Sequence, residues 1–131
     1  MDADALAALA RRHGVRLVVR FGSTVTGRTH AGSDLDLGVV TDRAGLSFNA
    51  LMDLTSDLQV FGNGREVDVA VLNHADPLFL KQVADYCERV FGSPDDFAAF
   101  KLRAFHRYQD YSRYLVLEQA FVDRRLGTAT S

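Results

Sequence analysis

The chain has 131 residues, 47% of them hydrophobic, and a formal net charge of -2. That length suits a single domain over residues 1–131 that folds without disulfides, and the near-neutral charge argues against a dedicated binder of polymeric nucleic acid, which works through a basic field. Cys87 is the single cysteine, so an intramolecular disulfide is excluded, and with no His or Cys at ligand spacing so is a zinc site.

The start, Met1-Asp2-Ala3-Asp4, is acidic where a secretory leader is basic, and no apolar run reaches membrane-spanning length, so a cytoplasmic protein is expected. Asp4 to His13 carries Leu6, Leu9 and Ala10 on one stripe and predicts a helix closed by Gly14. The apolar, β-branched run Arg16 to Phe21 predicts a strand that breaks at Gly22-Ser23 into a short helical turn. A second strand is expected from Asp34 to Thr41. Leu51, Leu54, Leu58 and Phe61 are spaced as on a helix over Leu46 to Phe61, which Gly62-Asn63-Gly64 stops. A third strand follows from Glu66 to Leu72, then a helix from Leu78 to Phe91. Ser93-Pro94-Asp95-Asp96 reads as the capped start of a long final helix, about 94–124, with Gly127 to Ser131 frayed beyond it. This order predicts an α+β fold, a small mixed sheet with flanking helices.

The chemistry is concentrated between the first two strands. Gly22 lets an anion approach the backbone, and Ser23 at the start of a helical turn offers a hydroxyl and unpaired N–H groups, which together make a phosphate cradle. Strand alternation puts Leu35, Leu37 and Val39 on one face and Asp34, Asp36 and Gly38 on the other. Two carboxylates side by side repel each other, so the pair points to a divalent cation, and oxygen-only ligands favour magnesium or manganese. The third strand repeats the pattern: Val67, Val69 and Val71 alternate with Asp68. Asp34, Asp36 and Asp68 together suit two metal ions that assist in-line displacement on a triphosphate, with Asp68 on the acceptor side as a candidate proton acceptor.

Gly22-Ser23, ten residues, Asp34-x-Asp36 and a later strand carboxylate at Asp68 resemble the signature of the DNA polymerase β nucleotidyltransferase superfamily. Within it the chain is similar to the minimal nucleotidyltransferases (MNT proteins) of HEPN/MNT toxin–antitoxin pairs, which join a short catalytic domain to a C-terminal helix. The resemblance implies a polymerase β-like fold, ATP as substrate, magnesium as cofactor, and transfer of AMP to a tyrosine of a HEPN ribonuclease toxin, which silences it. It also implies phosphate contacts by Gly22, Ser23 and Ser33. One departure is Thr26, where family members often have Arg. Arg28 is then either the replacement phosphate contact or a solvated loop residue, and His30 either contacts the triphosphate or packs the loop.

The final helix carries two stripes, one of Phe97, Phe100, Ala104, Tyr108, Tyr111 and Leu115 and one of Leu102, Phe105 and Val116. One stripe covers the chain's own sheet, and the other is expected to meet a partner or a second copy, with Phe105, Tyr108 and Tyr111 as candidate contacts. The chain is also expected to end before any separate acceptor domain, which favours a protein acceptor brought by a partner. No HEPN-type Arg, four to six residues, His motif is found. Two other readings stay open: a binding module that masks its toxin without catalysis, and an enzyme acting on a small molecule such as an aminoglycoside.

Overall fold

The structure is a computed structural model that describes residues 1–22, 34–42 and 45–127. Asp2 opens helix α1 (Ala3–Arg12) by accepting from the backbone N–H of Asp4 and Ala5, both at 3.1 Å, and thereby satisfies two donors that a helix start leaves unpaired. After Gly14, β1 (Val15–Phe21) crosses the centre of a sheet and pairs antiparallel with β2 (Leu35–Thr41). Ser47 caps α2 (Phe48–Leu58), which continues into a 3-10 turn over Gln59–Gly62, and Asn63 in the left-handed conformation ends it. β3 (Val67–Val71) then lies parallel to β2.

The long helix expected from Leu78 to Phe91 is replaced by two elements. α3 (Pro77–Asp85), capped by Asp76, stops where Tyr86 leaves helical geometry, and β4 (Glu88–Phe91) adds an antiparallel strand to the free edge of β1. Helical spacing hid this turn. Leu80, Val83, Ala84 and Cys87 follow i, i+3, i+4, i+7, and all four pack against the same apolar cluster. What the spacing could not show was the open edge of β1, whose backbone groups need partners. The final helix, α4, runs from Pro94 to Leu126 with Ser93 as N-cap and Gly127 as left-handed C-cap.

The sheet order is β3-β2-β1-β4, with helices on both faces. On one face α1 and α2 cover Val18, Leu35, Leu37, Val39 and Val67, and on the other α3 and α4 cover Leu17, Val19 and Leu72. Gly38 belongs to the second face, where a Cβ would stand 2.6 Å from Leu72 Cδ1, so the glycine makes room for that leucine. The carboxylates of Asp36 and Asp68 lie near the starts of β2 and β3, at one end of the sheet.

Candidate active site

β1 ends at Gly22, whose φ of +79° lies in the left-handed region. A Cβ here would overlap the Asp36 carboxylate, so the backbone corner and that carboxylate occupy the space a side chain would fill. Asp36 stands opposite Phe21 in the antiparallel pair and opposite Asp68 in the parallel pair. Phe21, Asp36 and Asp68 therefore form a row across three strands, on the sheet face that also carries Gly38 and Ala70. Neighbouring strands are about 4.8 Å apart, which makes the two carboxylates immediate neighbours. Asp34 directly precedes β2, where the Leu35 N–H bonds to the Glu66 carbonyl at 2.9 Å and holds the starts of β2 and β3 together.

The electrostatics follow from this crowding. Asp36 is half-buried, and burial, then the charges of Asp68 and Asp34, push its carboxyl above the usual carboxylate range. Asp68 is pushed up by desolvation, by the charge of Asp34, and by a hydrogen bond between the two side chains. Among the described residues no three His, Cys, Asp or Glu side chains are closed into a ready metal cage, so the trio is coupled but not cinched. As a donor set it fits a hard divalent cation: only oxygens, and a mutual repulsion that a positive charge would relieve.

Two supporting contacts were not foreseen from sequence. Gln59 turns its side-chain amide onto the outer edge of β3, donating to the Val67 carbonyl at 2.8 Å and accepting from the Val67 N–H at 3.1 Å. It thus pins the residue immediately before Asp68 on the edge strand of the described sheet. Phe79 of α3 packs edge-on against Phe21, with ring centroids 5.7 Å apart, and walls the site from the helix side. Gln59 sits in a run that reads only as a helix end, and Phe79 is remote in sequence, so neither carried a local signal.

Ser23, Thr26, Arg28, His30 and Ser33 lie outside the described residues. Of the candidate partner contacts, Phe105 is 55% exposed. Tyr108 is half-buried with Lys81 Nζ 5.1 Å from its ring centroid, and Tyr111 is half-buried as well. Burial on the first stripe runs from Phe97 to Tyr111 and has lapsed by Leu115. Beyond it, Tyr114, Val116, Leu117 and Phe121 are exposed on successive turns. No helix among the described residues is long and apolar enough to cross a membrane.

Comparison with known proteins gives the chain a family and a shared fold. Residues 5–96 match the family described as polymerase beta, nucleotidyltransferase. Among solved structures, a toxin–antitoxin with AMP-PNP is similar over 96% of this chain and 99% of that chain, with a TM-score of 0.73 at 23% identity. A tri-AMPylated Shewanella oneidensis HEPN toxin in complex with MNT antitoxin is similar over 95% of each chain, with a TM-score of 0.66 at 21% identity. The toxin–antitoxin MntA-HepT is similar over 95% of this chain and 96% of that one, again at 0.66 and 21%. No curated protein matches the sequence significantly.

Proposed function

The chain belongs to the polymerase beta nucleotidyltransferase family, and from that premise we propose that it transfers AMP from ATP to a tyrosine hydroxyl of a HEPN ribonuclease toxin, acting as its antitoxin. The observation that carries the reading is the mutual coupling of Asp34, Asp36 and Asp68 beside a Gly22 corner that has no room for a side chain. The choice of acceptor draws on solved neighbours that span nearly their whole length with this chain, one of them a complex containing an AMPylated HEPN toxin.

Asp34, Asp36 and Asp68 would hold two divalent cations, magnesium or manganese, which when bound neutralise the triphosphate and favour ionisation of the acceptor oxygen. Gly22 lets the phosphates approach the main chain, and Ser23, Arg28 and Ser33 are assigned to binding them. The tyrosine oxygen attacks the α-phosphorus, the bond from that phosphorus to the β-phosphate oxygen breaks, and pyrophosphate leaves. Asp68, exposed on the acceptor side, takes the phenolic proton.

The test is incubation with labelled ATP, magnesium and a HEPN protein encoded beside this chain. Label on a toxin tyrosine, lost in Asp36→Asn, is the expected result; no transfer, or equal transfer by that variant, defeats the proposal. The exposed Tyr114, Leu117 and Phe121 favour a second reading, in which α4 masks the toxin by binding alone. In that case the pair Asp34→Asn and Asp36→Asn still neutralises the toxin.

A further inference from the structure

Helices α3 and α4 cover the sheet face that carries Asp36 and Asp68, and between them they leave a groove of about 370 Å³. Ala84 of α3 and Ala104 of α4, both buried, line its floor, and their small side chains leave the space that larger residues would fill. Phe105, 55% exposed, and the half-buried Tyr108 line the α4 side. Phe79 and Lys81 stand about 200° apart around α3 at 3.6 residues per turn. One helix therefore walls the carboxylate site with Phe79 and lines this groove with Lys81.

Charge sets the groove apart from the rest of the chain. Of the 15 Lys and Arg residues only Lys81 and Lys101 are lysines, and both line it. Lys81 is answered by Asp85, one turn on, at 2.5 Å. Lys101 is exposed and makes no ion pair among the described residues; its ammonium lies 4.8 Å from the ring centroid of Phe97. Two ammonium groups against the one carboxylate of Asp85 leave a single positive charge in the groove, in a chain whose net charge is -2. A lysine ammonium is a compact charge on a flexible stem, so it meets a carboxylate from many directions.

We infer that this groove docks an acidic segment of the protein acceptor, seating an apolar side chain over Ala84 and Ala104 against Phe105 and Tyr108 and bringing a carboxylate to Lys101. The inference rests on the reading that the acceptor is a protein. A peptide that mixes aliphatic and acidic residues matches both the apolar floor and the unanswered amine, whereas a nucleic-acid backbone matches only the charge. The volume is at the low end for ligand pockets and takes side chains rather than a folded element. Exposed aromatic residues beside a small-residue floor are the usual anchors of such contacts. Tyr108 and Tyr114 are about 9 Å apart along α4 at 1.5 Å per residue, so an occupant of the groove can continue onto the exposed stretch that begins at Tyr114.

The experiment uses the full chain and the HEPN protein encoded beside it. Lys101→Glu should weaken the complex at least tenfold and raise the KM for the protein acceptor by a similar factor, with kcat, the KM for ATP and the melting temperature unchanged. Lys101→Arg should restore binding, and the natural complex should weaken as salt rises more steeply than that of Lys101→Glu. With the photoreactive benzoylphenylalanine in place of Phe105, light should join the chain to an Asp- or Glu-rich peptide of the acceptor. Absence of a complex, unchanged affinity in Lys101→Glu, or cross-links to a second copy of this chain or to a segment without acidic residues overturns the inference. Asp36→Asn separates the two readings: undiminished transfer by that variant defeats the transferase reading alone, and complex formation by it that still depends on Lys101 leaves the docking groove standing.

Discussion

A methyl group at position 22 would collide with the Asp36 carboxylate and force a left-handed backbone on a residue that resists it. Gly22→Ala should therefore leave the chain folded but displace Asp36, and nucleotidyl transfer should fall by about 100-fold or more, the scale set by loss of one preorganised electrostatic contact. Asp36 itself opposes folding. Its proton affinity is higher in the folded chain than in the unfolded one, so stability is greatest below the ordinary carboxylate pKa and is lost as pH rises through the elevated folded value. Asp36→Asn removes that cost: melting should rise by a few degrees at neutral pH, with the gain vanishing in acid. Melting curves from pH 4 to 8 decide this. Magnesium should raise the melting temperature of the natural chain and leave that of Asp36→Asn unchanged, a readout that does not depend on turnover.

Among the elements, β3 is an edge strand whose outer side is held at Val67 by Gln59. Gln59→Leu deletes two hydrogen bonds to half-buried backbone groups and should cost about 1–3 kcal/mol in chemical denaturation. Transfer activity should drop with it, because Asp68 follows Val67 directly. The two helices on the opposite face are linked by His13 of the α1 end to Asp57 of α2, at 2.7 Å, with Arg12 beside them at 3.0 Å. The hydrogen bond from His13, helped by Arg12, lowers the Asp57 pKa, so this link stabilises above the usual carboxylate range and is lost as pH falls through the lowered value. Asp57→Asn should lower the melting temperature at pH 6 to 7, and the difference from the natural chain should shrink as the pH falls below the ordinary carboxylate range.

The alternation of valines and aspartates made β2 and β3 readable: Leu37, Val39 and Val67 are at most 1% exposed, while Val69 and Val71 on the edge strand are half-buried. Caps told the start of α4, where Ser93 and Pro94 act as their types imply. Less was legible where partners are distant in the chain. β4 continued a helical rhythm, His13 gave no hint of Asp57 forty-four residues on, and Gln59 looked like the tail of a helix. Spacing along one strand can place two carboxylates on one side, whereas the alignment of Asp36 with Asp68 is a property of pairing, which only a register reveals.

For the whole molecule, α4 is the outlying feature. Its 33 residues span about 50 Å at 1.5 Å per residue, yet only Phe100 and Ala104 on it are fully buried. From Tyr114 onward the helix leaves the body, and Leu117 is 70% exposed and Phe121 55%. A helix with this much open apolar surface gains most from a partner's contact. Leu117→Glu combined with Phe121→Glu should leave melting and ATP binding unchanged and abolish co-purification with a HEPN toxin. Asp36→Asn should do the reverse, keeping the complex and losing transfer.

The alignment of Asp36 with Asp68 has a further consequence. Their separation is set by the main-chain ladder of two parallel strands, which any pair of apolar, β-branched neighbours maintains. Exchanges among apolar, β-branched residues around them thus leave the spacing of the two carboxylates unchanged. A fold shared at a TM-score of 0.73 with only 23% identity is what such tolerance leaves behind.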